Sequence, residues 1–262
     1  MSVVGSPPIG GSSAWAGSYA ETVDFAAEFH AQNQGFADLI FGSDLATPVP
    51  TCPGWTLKQL FRHVGGGNRW AAQIVSDRLQ EALDHADTRD GRAPSELDEA
   101  RTWFHGATGL LVDAVADAGA HTAVWTFTGP RPASWWLRRR VHEVLVHRAD
   151  AAIAVGAEFT VRPELAADCL TEWFELVVPR MPDLGGKSLH LHATDEGLGQ
   201  AGEWTIADGE LTHSHGKGDV AVRGPVTDLL LVITRRRAVG ETAVEVFGDD
   251  AVLQTWLDGT GF

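Results

Sequence analysis

The sequence predicts an α-helical bundle of four helices followed by a smaller α+β domain, in one chain of 262 residues. Three observations carry that prediction. Apolar residues recur at three- and four-residue intervals in four separate runs before Gly156, they alternate with period two in several short runs after it, and an Asp-Gly pair separates two of those alternating runs. A chain of this length holds one large or two modest domains. The expected division is a loose tail over residues 1–14, rich in Gly, Ser and Pro, then a bundle over 15–156 and an α+β unit over 157–262.

The first helix is expected from about Tyr19 to Leu45, where Val23, Phe25, Phe29, Phe36, Leu39 and Ile40 follow helical spacing. Three prolines between Thr47 and Gly54 make a loop, after which Thr56 can cap a second helix running through Leu60, Val64, Trp70 and Ile74. Gly65, Gly66 and Gly67 stand in its middle and cost roughly 1 kcal/mol each against Ala. Either the helix breaks there or another element approaches very closely, and both crowd His63. A third helix is expected over Pro94–Gly119, a fourth over Trp135–Val155 and a fifth over Pro163–Val178. The runs Lys187–Asp195, Gly202–His215 and Asp219–Gly224 alternate as strands, with Ala207–Glu210 as a tight hairpin turn. A helix over Val226–Arg236, a strand over Ala243–Phe247 and a helix over Ala251–Leu257 complete the chain.

Composition removes several classes of function. With 20 basic against 35 acidic residues the net charge is −15, which repels nucleic acid and anionic membranes over most of the surface. Cys52 and Cys169 are too few for a disulfide framework and suit a reducing compartment. No apolar run reaches the ~18 to 20 residues of a membrane span, and the N-terminus lacks the basic start and apolar stretch of a secretion signal. A cytoplasmic protein, monomeric or weakly dimeric, is expected.

The residues with chemistry concentrate on the fourth helix. Glu143 and His147 are four apart, so carboxylate and imidazole share one face. Two readings of that pair stand. Glu143 can pair with Arg139 or Arg140 while His147 is an ordinary half-buried histidine, or the two can hold a metal. His63 offers a third ligand, since helices two and four of a bundle are usually diagonal and face each other across the core. Two histidines and one carboxylate leave a coordination position open, as in catalytic zinc sites. Two His-x-His pairs, His190 with His192 and His213 with His215, point to one face if on strands. With no carboxylate or cysteine beside them at ligand spacing, they are read as ordinary sheet residues. Most of the ten tryptophans are expected in the core, with one or two walling a pocket.

The same segments carry a family resemblance. The string TCPGWTLKQLFRHVGGGNRWAAQ (Thr51–Gln73) resembles the signature of the mycothiol-dependent maleylpyruvate isomerase N-terminal domain, a branch of the DinB-like bundles. RRRVHEVLVHRADAAIAVG (Arg138–Gly156) resembles that family's second motif, and the C-terminal half is similar to its small sterol-carrier-like domain. The resemblance implies that His63, Glu143 and His147 bind a divalent metal, normally Zn2+, and that mycothiol is the thiol cosubstrate, as in actinobacteria. It further implies a functional arginine at the end of the LLLVITRR stretch, best matched by Arg236, with Arg235 as competitor because it replaces the family's usual glycine. Ala149 stands where the second motif usually has Trp, and Asn68 where the first often has His, so a pocket unlike the founding isomerase's is expected.

A metal with an open position stabilises a thiolate over a thiol. The function this implies is addition of mycothiol to a small electrophile or unsaturated acid, as an isomerase or an S-transferase. Two rival classes are a non-catalytic, anti-sigma-like zinc module and a metalloenzyme of specialised metabolism that uses no thiol.

Overall fold

The computed structural model describes residues 23–180 and 184–260; the expected tail over 1–14 and the start of the first helix lie outside them. Four long helices come first: α1 (Phe25–Phe41), α2 (Leu57–Ser76), α3 (Leu97–Ala118) and α4 (Ser134–Val155). Two-residue strands β1 (Ala123–Val124) and β2 (Arg131–Pro132) pair in the loop before α4. Local chemistry sets the starts. Asp24 accepts hydrogen bonds from the Ala26 and Ala27 amides, and the Thr56 amide donates to Gln59 Oε1 (2.9 Å). Gly156 closes α4 in the left-handed region, φ 68°.

The glycine run does not break α2. A Cβ on Gly65 would lie 2.4 Å from Trp103, and one on Gly67 would lie 2.8 Å from the Arg140 guanidinium. Close approach, from α3 on one side and α4 on the other, is therefore what the glycines permit.

The order of helices departs from the expectation. α2 packs against both α3 and α4, and α1 against both α4 and α3, whereas α1/α2 and α3/α4 barely touch. Thus α2 and α4 are direct neighbours, not a diagonal pair. The long connections 42–56 and 119–133 cross the bundle diagonally, and this crossing brings His63 beside α4 without the core between them.

After α5 (Pro163–Val177) the chain forms a five-stranded sheet from β3 (Leu189–Ala193), β4 (Glu203–Ala207), β5 (Glu210–Thr212), β6 (Val220–Gly224) and β7 (Glu245–Gly248). Its order is β5-β4-β3-β6-β7, with β3 and β6 parallel and the other pairs antiparallel. Asp208 and Gly209 both take positive φ (52° and 74°) in the predicted hairpin, as a two-residue turn between right-twisted strands requires. Leu189, Leu191, Trp204, Ile206, Val220 and Val222 supply the buried face, packed with α6 (Val226–Ile233), α7 (Asp250–Gly259) and Phe174 of α5.

Helix α6 is shorter than its apolar run suggests. It stops at Ile233 because Arg235 turns left-handed (φ 62°), with the Arg235 amide bonded to Val232 O and the Arg236 amide to Leu231 O. A glycine is the usual residue for that conformation.

Ion pairs join the two parts of the chain. Arg138 of α4 clamps Asp168 (3.0 and 2.9 Å) and Glu175 (2.8 Å) on α5, and Arg139 pairs with Glu172. His142, fully buried, stands 2.9 Å from both Asp168 and Glu172. Among the described residues no helix is long and apolar enough to cross a membrane.

Candidate active site

Helical spacing puts Glu143 and His147 one turn apart on α4, and α2 lays His63 against them. His63 Nε2 is 3.1 Å and His147 Nε2 3.4 Å from the same oxygen, Glu143 Oε1. One ligand atom from each of the three residues lies within 4.8 Å of the others. Glu143 divides its two oxygens: Oε1 faces the histidines, while Oε2 is held by Arg139. Burial alone would raise the Glu143 pKa, but Arg139 and the hydrogen bonds from His147 and His63 hold it well below the usual carboxylate range.

Behind His147 stands Asp150, completely buried, and its carboxylate gathers four partners. His147 Nδ1 lies 2.8 Å from Oδ2, Thr51 Oγ1 donates to Oδ1 (2.6 Å), Cys52 Sγ contacts Oδ2 (3.6 Å), and Arg236 spans both oxygens through Nε (3.0 Å) and Nη2 (3.2 Å). The short bond to Asp150 assigns the proton on Nδ1 and turns Nε2 toward Glu143, the arrangement that orients ligating histidines. Burial opposes charge on His147, yet hydrogen bonds to Asp150, Cys52 and Glu143 outweigh it and push its pKa up to about 10.

Arg236 and Arg235 are separated by the turn that ends α6. Arg236 reaches the bundle, whereas Arg235 donates to Leu257 O on α7 (3.0 Å). Of the five N–H donors of Arg236, three are used on Asp150 and Thr234 O, which leaves two for a ligand.

Two cavities meet at the triad. One of about 240 Å³ is lined by His63, Glu143, His147, Arg236 and Trp173, and the other, of about 360 Å³, by His63, Glu143, Arg139, Trp70, Trp136 and His85. Trp55 packs edge-on against His63 at 5.1 Å. Thr51, Cys52, Trp55 and Asp150 all lie in the two sequence motifs, but their part in the site escaped the sequence analysis. Asp150 had one available signal, its place three residues after His147 on the same helical face.

The family model for the mycothiol maleylpyruvate isomerase N-terminal domain matches residues 26–152, and that for the C-terminal domain of the same isomerases matches residues 164–255. The chain belongs to the mycothiol maleylpyruvate isomerase family. Two proteins of Mycobacterium tuberculosis named as uncharacterised, Rv0738 and MT0763, are each 28% identical over 141 residues, covering 52% of this chain and 68% of theirs. The fold is that of the crystal structures of the mycothiol-dependent maleylpyruvate isomerase. The TM-score is 0.64 to a histidine-to-alanine variant (16% identity) and 0.58 to a second crystal structure of the isomerase (17% identity), in each case over 87% of this chain and 94% of that one.

Both departures from the family motifs lie in the interior of the bundle. Asn68 is fully buried, donating to Asn33 (2.8 Å) and accepting from Arg140 (2.9 Å), and Ala149 is buried in the bundle. Neither lines either cavity. Asn68 still bears on the larger cavity through Arg140, which lines it and donates to the Asn68 carbonyl.

Proposed function

We propose that this chain is a metal-dependent enzyme of the maleylpyruvate isomerase type, which uses mycothiol to act on a small electrophile or unsaturated acid. The observation that carries this reading is the convergence of His63, Glu143 and His147 on one cavity, with His63 and Glu143 also bordering a second. Among the described residues no fourth His, Cys, Asp or Glu joins the triad. Two imidazoles and a carboxylate suit Zn2+, and an incomplete protein ligand set is that of a catalytic ion. A regulatory, non-catalytic module is expected instead to close its ion with a fourth protein ligand.

The ion, when bound, favours a thiolate over a thiol near neutral pH, and a thiolate that adds to an activated alkene isomerises it if it leaves after rotation, or gives S-transfer if it stays. The chain's own residues do the rest. Arg139 fixes one oxygen of Glu143 so that the other faces the ion. Asp150 holds His147 in the tautomer whose Nε2 is free to ligate. Arg236 aims its two unused N–H groups at a substrate carboxylate or at negative charge developing next to it. Two cavities suit two reactants, and Trp173 lines one of them and Trp70 and Trp136 the other. A cytoplasmic location, where small thiols are kept reduced, goes with this reading.

The test is turnover by the zinc-loaded protein with mycothiol and a panel that includes maleylpyruvate, other cis-unsaturated acids and simple electrophiles. The expected result is thiol-dependent consumption of at least one of them, abolished by chelation. A fully loaded protein that turns over nothing on the panel, or that works equally well without thiol, would overturn the reading.

A further inference from the structure

The His-x-His pairs read as ordinary sheet residues are not ordinary in the fold. The antiparallel register of β3 and β4 sets Glu203 directly opposite His192, and Thr205 opposite His190, on the face of the sheet away from the core. The loop after β5 then brings His215 over the same face. His190 Nε2 lies 2.9 Å from Glu203 Oε2, His215 Nδ1 2.9 Å and His192 Nδ1 3.7 Å from Glu203 Oε1. The three rings surround the carboxylate almost symmetrically, with centroids 6.5, 6.1 and 5.9 Å apart and planes at 87–89° to one another.

Hydrogen bonding shows what this cluster lacks. Thr205 Oγ1 donates to Ser214 O (3.2 Å), so it accepts from His190 Nδ1 (3.1 Å), and the proton of a neutral His190 sits on Nδ1. His190 Nε2 then presents a lone pair to Glu203 Oε2, an oxygen that is buried and has no hydrogen-bond partner. Two acceptors face each other at a buried contact, and a cation between them resolves the conflict. Ligand atoms ~2.1 Å from one zinc ion stand about 3.4 Å apart, and the four here lie within 4.8 Å of one another.

We propose that His190, His192, Glu203 and His215 form a second metal site, specific for a divalent transition ion of the zinc type, which fastens the loop 213–219 to the sheet. Three imidazoles exclude Mg2+ and Ca2+, which demand oxygen ligands. Four protein ligands close the coordination sphere, as structural ions require, in contrast to the triad of the bundle. The loop is shaped to reach the site: a Cβ on Gly218 would come within 2.6 Å of Val220 O and 3.1 Å of His190 Cβ, so only glycine lets it return this tightly beside β3. His213 is not a ligand and lies against the Trp204 ring, 6.2 Å away.

The site is independent of the catalytic reading, and the experiment keeps the two apart. Metal-stripped full-length protein is titrated with Co2+ and with Zn2+, for the wild type, H63A and the double variant H192A/H215A, whose two histidines are the more exposed members of the cluster. The expected result is that H63A retains one tight equivalent, with the visible absorption of four-coordinate Co2+, and that H192A/H215A loses that equivalent. Zn2+ should also raise the unfolding temperature of H63A and leave that of the triple variant H63A/H192A/H215A unchanged. The proposal is overturned if H63A binds no metal, or if H192A/H215A, folded by circular dichroism, binds as much Co2+ as the wild type.

Discussion

The bundle and the sheet each gather histidines around one glutamate, and they do so on opposite principles. In the bundle, Glu143 and His147 are neighbours along one helix, His63 comes from the adjacent helix, and the three donors border one cavity, His63 and Glu143 a second as well. In the sheet, His190 and His192 are set by strand alternation, Glu203 by register and His215 by a loop, and the four donors lie within 4.8 Å of one another. On the two proposals the number of protein donors separates the roles: three would leave room for a reactant, and four would hold a loop in place. The second difference is support. Asp150 stands behind the bundle triad and ties His147 to Arg236 from the other half of the chain, whereas Thr205 stands behind the sheet cluster and ties it only to its own loop.

Removing the bundle triad is the strongest way to break this comparison. His63→Ala and Glu143→Ala are each expected to lose the catalytic ion and at least ~10³-fold in activity, the several kcal/mol that a Lewis acid supplies, while the C-terminal sheet stays folded. Metal content by atomic emission, with activity and circular dichroism on the same samples, decides it. Full metal retention in both variants would refute the ligand assignment.

Arg236→Ala comes next. It is expected to lower kcat/KM by an amount worth ~2 to 4 kcal/mol with metal content unchanged, and Arg236→Lys to restore it in part, because the planar fork is lost. A variant as active as the wild type would leave the C-terminal half without a catalytic role and favour a non-catalytic module. The double variant with Asp150→Asn shows which of its two tasks matters. Additive effects mean that Arg236 acts on the substrate, and a double variant no worse than Asp150→Asn alone means that it acts through Asp150.

Asp150→Asn alone should weaken metal binding by about 10- to 100-fold, the usual cost of losing the partner that orients a ligating histidine. Competition with a chelator of known affinity measures it. Unchanged affinity would show that His147 needs no orienting group.

Two pH effects are smaller and of opposite sign. Because His147 is pushed up to about 10, zinc uptake by the metal-free protein near pH 7.5 should release one proton from it, detectable by calorimetry in buffers of different ionisation heat. In that metal-free state the stability His147 contributes is fully present below about pH 6.5 and lost as pH rises through about 10. Glu172 runs the other way. Burial would raise its pKa, but His142, Arg139 and Arg138 bring it down to about 2 from 4.5, so its contribution is present above pH 4.5 and lost as pH falls toward 2. Acid unfolding should therefore begin by loosening α4 from α5, seen as early amide exchange there. A bundle that separates from α5 only after the sheet has unfolded would contradict this order.

The smallest effect belongs to the turn that delivers Arg236. Arg235→Gly removes the left-handed strain, worth about 1 kcal/mol, and forfeits one exposed hydrogen bond to Leu257 O. A rise in unfolding temperature of a few degrees, with activity intact, is expected; a clear fall would mean that the Leu257 contact matters more than the strain.

What the sequence by itself determined is local and periodic. The four helices, the change of period after Gly156, the Asp208-Gly209 turn and the shared face of Glu143 and His147 all follow from spacings shorter than two helical turns, where backbone geometry leaves little choice. The glycines of α2 announced a close approach, but not that Trp103 and Arg140 make it. Only the tertiary structure decided that α2 and α4 are adjacent, because the path of a long connection across a bundle end is not encoded in the helices it joins. It alone placed Arg236 on Asp150, and it alone set Glu203 against His192. A strand's register is chosen by the packing of its buried face, and Leu191 opposite Trp204 in the core carries the polar face along with it. The carboxylate missing beside the His-x-His pair in sequence stands on the neighbouring strand, at a distance the chain can specify only by folding.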